Sequence, residues 1–248
     1  MAKYHKIFAC FFSIAFLIML QELSIPRPVF RFLVPGLILF SIIITLYNKW
    51  YLQQIGKYNP WILLRPILFF GSAFSLLNII PGDVLRGLFL IIVVLLGSLF
   101  EIFLGNFAEN IVLNETLVIA FGIFMSVSAY GLQYFPGFQT LWLVLLFFGI
   151  FLTTRSFYEF LPETSLGKLV SSLAIGLFCT QIFWAMTFLP FHYSASALML
   201  FNIFYFCIIL NYYYVFNTIN IRKFQFHLGL LVACTVFIFL LTPWKILT

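Results

Sequence analysis

Nine apolar stretches, each close to the ~20 residues a helix needs to cross a ~30 Å hydrocarbon core, fill most of this chain. They are residues 7–23, 29–47, 61–80, 87–105, 116–134, 138–154, 168–188, 195–217 and 226–242. No other feature restricts the fold as much. Backbone N–H and C=O groups in lipid have no water to bond, so a spanning segment must satisfy them itself, as a helix does. A transmembrane barrel instead needs ~10-residue segments alternating apolar and polar. Runs such as Leu88 to Leu96 are apolar on every face. The expected fold is therefore an all-α, polytopic transmembrane helix bundle. It has about nine spans, eight if one weak segment fails, and forms a single integral membrane domain over 1–248 with no soluble domain.

Composition closes the soluble alternative. Hydrophobic residues make up 64% of the chain and charged residues 8%, against the ~45–50% and ~25% usual in soluble domains. Eight of the ten prolines fall between or just after the runs: Pro26, Pro28, Pro60, Pro81, Pro136, Pro162, Pro190 and Pro243. Helix interiors resist proline, which lacks the N–H and clashes with the preceding turn. Pro66 sits in the second turn of its run, where the cost is small. Pro35-Gly36 predicts that the second helix kinks or begins late. The longest connections, 48–60, 106–115 and 155–167, are too short to fold alone.

The amino terminus has the basic start and apolar run of a signal peptide. It lacks a small-residue cleavage site before Gln21-Glu22-Leu23-Ser24, so a retained first helix is expected. The net charge of +6 comes without a basic stripe or a recognition motif, so nucleic acid is not the expected partner; the lipid bilayer is. With the amino terminus in the cytoplasm, the inner side receives Lys3, Lys6, Lys49, Lys57, Arg65, Arg155, Lys168, Arg222 and Lys223. The outer side receives Arg27, Arg31, Arg86 and Lys245. That excess of inner positive charge favours a cytoplasmic amino terminus.

Ionisable side chains inside a bilayer are costly and each needs an explanation. Glu101 lies a few residues from the predicted cytoplasmic end of helix 4, and Arg65 lies four residues into helix 3 from the same side. At ~1.5 Å per residue both sit roughly 6–9 Å below that surface. They are candidates for an ion pair locking two helices, with snorkelling of Arg65 as a second structural reading and a proton or anion site as the functional one. Gln181 on helix 7 and Asn202 on helix 8 share a depth of ~10–12 Å from the outer ends. An interhelical amide hydrogen bond is their plainer use, a polar substrate contact the sharper one. Asp83, Arg86, Gln133 and His192 gather near the predicted outer surface, where an enzyme acting on a lipid headgroup would place an acid and a base. Solvated surface groups would look the same.

Small residues recur at i, i+4: Ser172, Gly176 and Thr180 on helix 7, Gly71 and Ser75 on helix 3, Gly122 and Ser126 on helix 5. They mark either the bundle interior or a face for self-association. Aromatics reach 21%, with 35 Phe. Trp50, Trp61, Trp244 and Tyr212-Tyr213-Tyr214 lie near run ends, as an interfacial belt requires; the Phe along the helices read as lipid-facing.

Catalytic motifs are missing. No His-Glu-x-x-His, Gly-x-Ser-x-Gly, paired aspartates or Walker lysine loop occurs, and helix 9 has no central lysine for a retinal. Cys10, Cys179, Cys207 and Cys234 lie in apolar runs without a CxxC, so no zinc site, redox pair or cofactor is expected. The expected role is non-enzymatic, a small carrier or a membrane scaffold subunit. A membrane-embedded enzyme using a lipid-linked substrate at the outer face is the alternative.

The segment from Gln181 through Trp184 and Leu189-Pro190-Phe191 to Tyr193, followed by an aromatic helix and the stretch Tyr212 to Thr218, resembles a known family. It is one of uncharacterised multi-pass membrane proteins, a domain of unknown function, from candidate-phyla (Patescibacteria-type) bacteria. The likeness spans about residues 150–225, with hydropathy alone similar elsewhere. Family members carry an acid before the Ile-Phe-Trp stretch where this chain has Gln181, which argues against an acid-dependent role there. The resemblance implies a bacterial cytoplasmic membrane and no activity.

Overall fold

The computed structural model describes residues 2–24, 30–104, 109–189, 191–216 and 220–242. Pro26, Arg27, Pro28, Pro190, Pro243, Trp244 and Lys245, all used above, lie outside them. The described residues form nine α-helices and no strand: α1 (Ala2–Ser24), α2 (Phe30–Gln54), α3 (Pro60–Leu77), α4 (Asp83–Ile102), α5 (Glu109–Ala129), α6 (Gln139–Tyr158), α7 (Ser165–Met186), α8 (Tyr193–Val215) and α9 (Ile221–Leu241). Eight of them, α2 to α9, are long and apolar enough to cross a membrane. In α1 the apolar part within the described residues is His5–Phe16. The chain is a multi-pass membrane protein.

The helices begin and end where local chemistry directs. Asn59 caps α3, its Oδ1 accepting from the Trp61 N–H at 2.9 Å, and Pro60 takes the first helical position, where no donor is needed. Thr164, His192 and Asn220 cap α7, α8 and α9 in the same way. The late start at Pro35 does not occur: α2 begins at Phe30 and carries the proline within its second turn. A proline so near a helix start removes little of the hydrogen-bond ladder. At the far end of α5 the chain widens into a π-helical turn, Tyr130–Tyr134, before a short 3-10 turn leads into α6.

Two compact units divide the chain inside α5, Met1–Glu115 and Thr116–Thr248. In the first, α1 packs against α4 and α2, and α3 joins α2 and α4. Its core is aromatic: the rings of Phe16, Phe40 and Phe70, all buried, meet at centroid distances of 4.5–5.2 Å. Gly97 on α4 lets this packing close, because a Cβ there would stand 3.1 Å from the Phe70 ring. In the second unit α6 lies along α7, and α8 sits between α7 and α9. Phe124 and Phe204, both buried, join α5 to α8. The phenylalanines expected to face lipid are thus divided, some lining the cores and others, such as Phe148 and Phe237, exposed.

The small-residue stripe of α7 is spent inside the second unit. Ser172 and Gly176 are buried, and a Cβ on Gly176 would come within 3.3 Å of the Phe147 ring on α6. Gly71 on α3 is exposed, with open space around it.

Candidate functional site

Chain alternation brings five helix ends together at one end of the first unit. They are the starts of α1, α3 and α5 and the last turns of α2 and α4, and each contributes a polar side chain that faces inward. Arg65 is on the second turn of α3 and only 1% exposed, so it does not snorkel to the surface. Its Nε and Nη2 both reach Glu115 Oε2 at 2.7 Å, and Nη2 also donates to the Val112 carbonyl at 2.8 Å. The expected pairing with Glu101 is therefore corrected. The partner of Arg65 is on α5, at a position the apolar runs leave in a connection.

Glu101, 2% exposed, takes a different partner. Its Oε1 accepts from Asn48 Nδ2 on α2 at 3.3 Å. Two atoms of this contact are buried without any hydrogen bond: Glu101 Oε2 and Asn48 Oδ1. The backbone carbonyl of Glu101 accepts from His5 Nε2 on α1 at 2.8 Å. A carbonyl only accepts, so Nε2 carries the hydrogen; in the neutral ring Nδ1 then accepts from the Tyr47 hydroxyl at 3.1 Å. The His5 ring also stacks on Tyr51, centroids 3.6 Å apart and nearly parallel. A void of about 10 Å³, lined by Glu101, Glu115, Pro66, Phe70, Gly97 and Leu104 among others, adjoins the two carboxylates. That is room for about one water.

The charge count at this end does not close. Among the described residues of the first unit, the buried charged side chains are Arg65, Glu101 and Glu115. Arg65 matches Glu115, and His5 meets the backbone of Glu101 instead of its carboxylate. An uncompensated charge in a low-dielectric interior costs several kcal/mol, so Glu101 needs a positive charge that no described side chain delivers to its Oε2. The second unit differs. There Arg155 in the last turn of α6 pairs with Glu159, the residue that follows the helix, and Lys168 on α7 reaches the same carboxylate at 3.7 Å.

Gln181 and Asn202 are not brought together. Asn202 donates through Nδ2 to the Leu231 carbonyl at 2.9 Å and to Thr235 Oγ1 at 3.1 Å, tying α8 to α9. Gln181 is on the exposed face of α7, with no hydrogen bond among the described residues. A further link in this unit joins Asn211 to the Tyr158 hydroxyl at 2.7 Å, and His227 lies between the hydroxyls of Tyr205 and Tyr213, each at 3.3 Å.

The residues expected at the outer surface are accounted for within their own units. In the first, Arg86 meets Asp83 at 3.7 Å, three residues back, and donates to the Ile80 carbonyl at 2.9 Å. In the second, His192 turns its Nδ1 to Ser194 at the start of α8, and Gln133 is exposed in the π-helical turn. No group of three or more His, Cys, Asp or Glu side chains able to hold a metal occurs among the described residues.

His5, Asn48 and Glu115 carry the site with Arg65 and Glu101, and apolar runs alone pass over all three. Each is just beyond the end of a run, where a hydropathy boundary stops at the first polar residues while the helix continues. The available signal was an acid or amide within two turns of a predicted helix end. No protein-family model, no curated protein and no solved structure matches the chain.

Proposed function

We propose that this chain is a non-enzymatic carrier of a bacterial cytoplasmic membrane, with its amino terminus on the cytoplasmic side, and that a small cation bound at Glu101 takes part in its cycle. One observation supports this reading above the others: among the described residues, the first unit buries two carboxylates against one guanidinium. The surplus negative charge calls for a positive charge brought from outside the described side chains. A carrier supplies one during its cycle, and a void of single-water size beside the carboxylate fits an occluded ion site. A scaffold has no use for an unmatched buried charge, and the α7 stripe that would have served its self-association packs on α6 instead. The enzyme reading loses support because Asp83, Arg86 and His192 each have local structural partners. The bilayer partner, the bacterial origin and the kinship with the candidate-phyla family rest on the apolar helices, the arrangement of basic residues and the Gln181 to Tyr193 segment.

The test is ion entry into liposomes carrying the full-length protein, driven by an imposed membrane potential and followed with trapped proton- and sodium-sensitive dyes. Wild type should admit one of these ions faster than protein-free liposomes, and Glu101→Gln should return entry to the protein-free rate. Equal entry in wild type and Glu101→Gln would refute the carrier assignment at this site.

A further inference from the structure

We infer that Glu101 and Asn48 form a binding site for a single proton, which closes a cyclic acid–amide pair between α4 and α2. The inference deepens the carrier reading by naming the ion, and it rests on that reading only for the use to which the proton is put.

Two atoms of the Glu101–Asn48 contact are orphaned. Asn48 Nδ2 already donates to Glu101 Oε1. The atoms left over are the other oxygen of the same carboxyl and the oxygen of the same amide, Oε2 and Oδ1, both buried and both without a partner. As an anion, Glu101 offers only acceptors, and two acceptors cannot satisfy each other. One proton on Oε2 changes this. The O–H becomes a donor to Asn48 Oδ1, while the existing N–H to Oε1 bond is retained. Both orphans are then satisfied, and the unmatched charge disappears in the same step. The balance is simple: a hydronium ion gives its proton to the carboxylate oxygen, an O–H bond forms, and one water leaves.

Other occupants answer fewer of these demands. A water in the adjoining void could hydrogen-bond the carboxylate but would bring no charge. A metal cation would bring charge, yet calcium takes six to eight oxygen ligands and magnesium a near-octahedral set. The void is walled largely by Pro66, Phe70, Phe100 and Leu104, and Glu115, the other carboxylate lining it, already has its Oε2 held by Arg65. The described side chains on the packed helices are consistent with a neutral pair. His5 on α1 bonds the backbone of Glu101 and not its carboxylate, and Tyr47 and Tyr51 on α2 bond or stack on His5. Arg65 on α3 is matched by Glu115 on α5.

Infrared difference spectroscopy on the full-length protein in lipid, titrated from alkaline to acidic conditions, reads the proton directly through the C=O stretch of a protonated carboxylic acid. Wild type should show such a band, Glu101→Gln should lose it, and Glu115→Gln should keep it. Asn48→Leu should retain the band but shift it, because the acid loses its amide partner. Glu101→Asp, which keeps an acid, covers the case in which the glutamine variant does not fold. The proposal is overturned if no titrating band depends on Glu101, if Asn48→Leu leaves its frequency unchanged, or if sodium at constant pH abolishes the band. The titrating band without ion entry into liposomes would keep the proton site and refute the carrier reading; ion entry without the band would do the reverse.

Discussion

Removing Glu115 should damage the protein far more than neutralising Glu101, although both are buried carboxylates at the same end of one unit. Arg65 is 1% exposed and has both Nε and Nη2 on Glu115 Oε2. Glu115→Ala therefore takes the carboxylate away from a guanidinium in the packed interior, while the bond to the Val112 carbonyl remains. Breaking a buried pair by deleting one partner costs about 3–5 kcal/mol. At about 2–4 °C per kcal/mol for a chain of this size, the midpoint should fall by roughly 6–20 °C. Glu101→Gln works the other way. A glutamine oxygen can still accept from Asn48 Nδ2, and its NH2 supplies the donor that Asn48 Oδ1 lacks, so the midpoint should hold or rise. Thermal unfolding in detergent, followed by tryptophan fluorescence, reads both. A double variant, Arg65→Leu with Glu115→Leu, separates charge from packing. Replacing a buried pair by apolar residues is often neutral or stabilising, so it should regain most of what Glu115→Ala loses. The reasoning is refuted if Glu115→Ala melts like wild type, or if the double leucine variant is as unstable as the single alanine.

Two other predictions concern the second unit. Asn202→Leu removes the bonds to Leu231 and Thr235 and should cost about 0.6 kcal/mol, at most ~1.7, the range found for interhelical hydrogen bonds in membranes; an unchanged melting curve would show that the amide does not hold α8 to α9. Gly176→Leu forces a side chain into the space of the Phe147 ring and should cost about 1–3 kcal/mol by overpacking, and a melt equal to wild type would refute the close approach of α6 and α7.

The fold was legible because lipid leaves a chain few choices. Nine apolar runs became nine helices among the described residues, and Pro60, Pro81, Pro136 and Pro162 marked helix starts and connections, whereas Pro35 and Pro66 lie in second turns. Helix ends were less legible, for a physical reason. Hydropathy falls at the first polar residue, whereas a helix ends where its backbone hydrogen bonds do. The run ending at 47 continues as α2 to Gln54, and the run starting at 116 is preceded by helix from Glu109. Asn48 and Glu115 lie in those extra turns, so a reading that stopped at the runs left them in loops. Roles for aromatic residues were ambiguous on the same grounds. A lipid-facing Phe and a core Phe have identical hydropathy, and only the helix rotation separates Phe16 and Phe70 from Phe148.

The site shows where depth along a helix stops being informative. Rise per residue placed Arg65 and Glu101 at one level, and that level is where the structure gathers its polar groups. Depth does not choose partners, because each helix can turn about its own axis, and a turn of ~100° per residue directs neighbouring positions at different helices. Arg65 thus meets α5 and Glu101 meets α2. The correction strengthens the functional argument. Had Arg65 faced Glu101, the two charges would have cancelled and left Glu115 as the residue to explain. With Arg65 committed to Glu115, Glu101 Oε2 in the first unit still lacks a hydrogen bond, and so does the oxygen of the amide that donates to Glu101 Oε1. A single proton is the smallest addition that satisfies both atoms and restores neutrality.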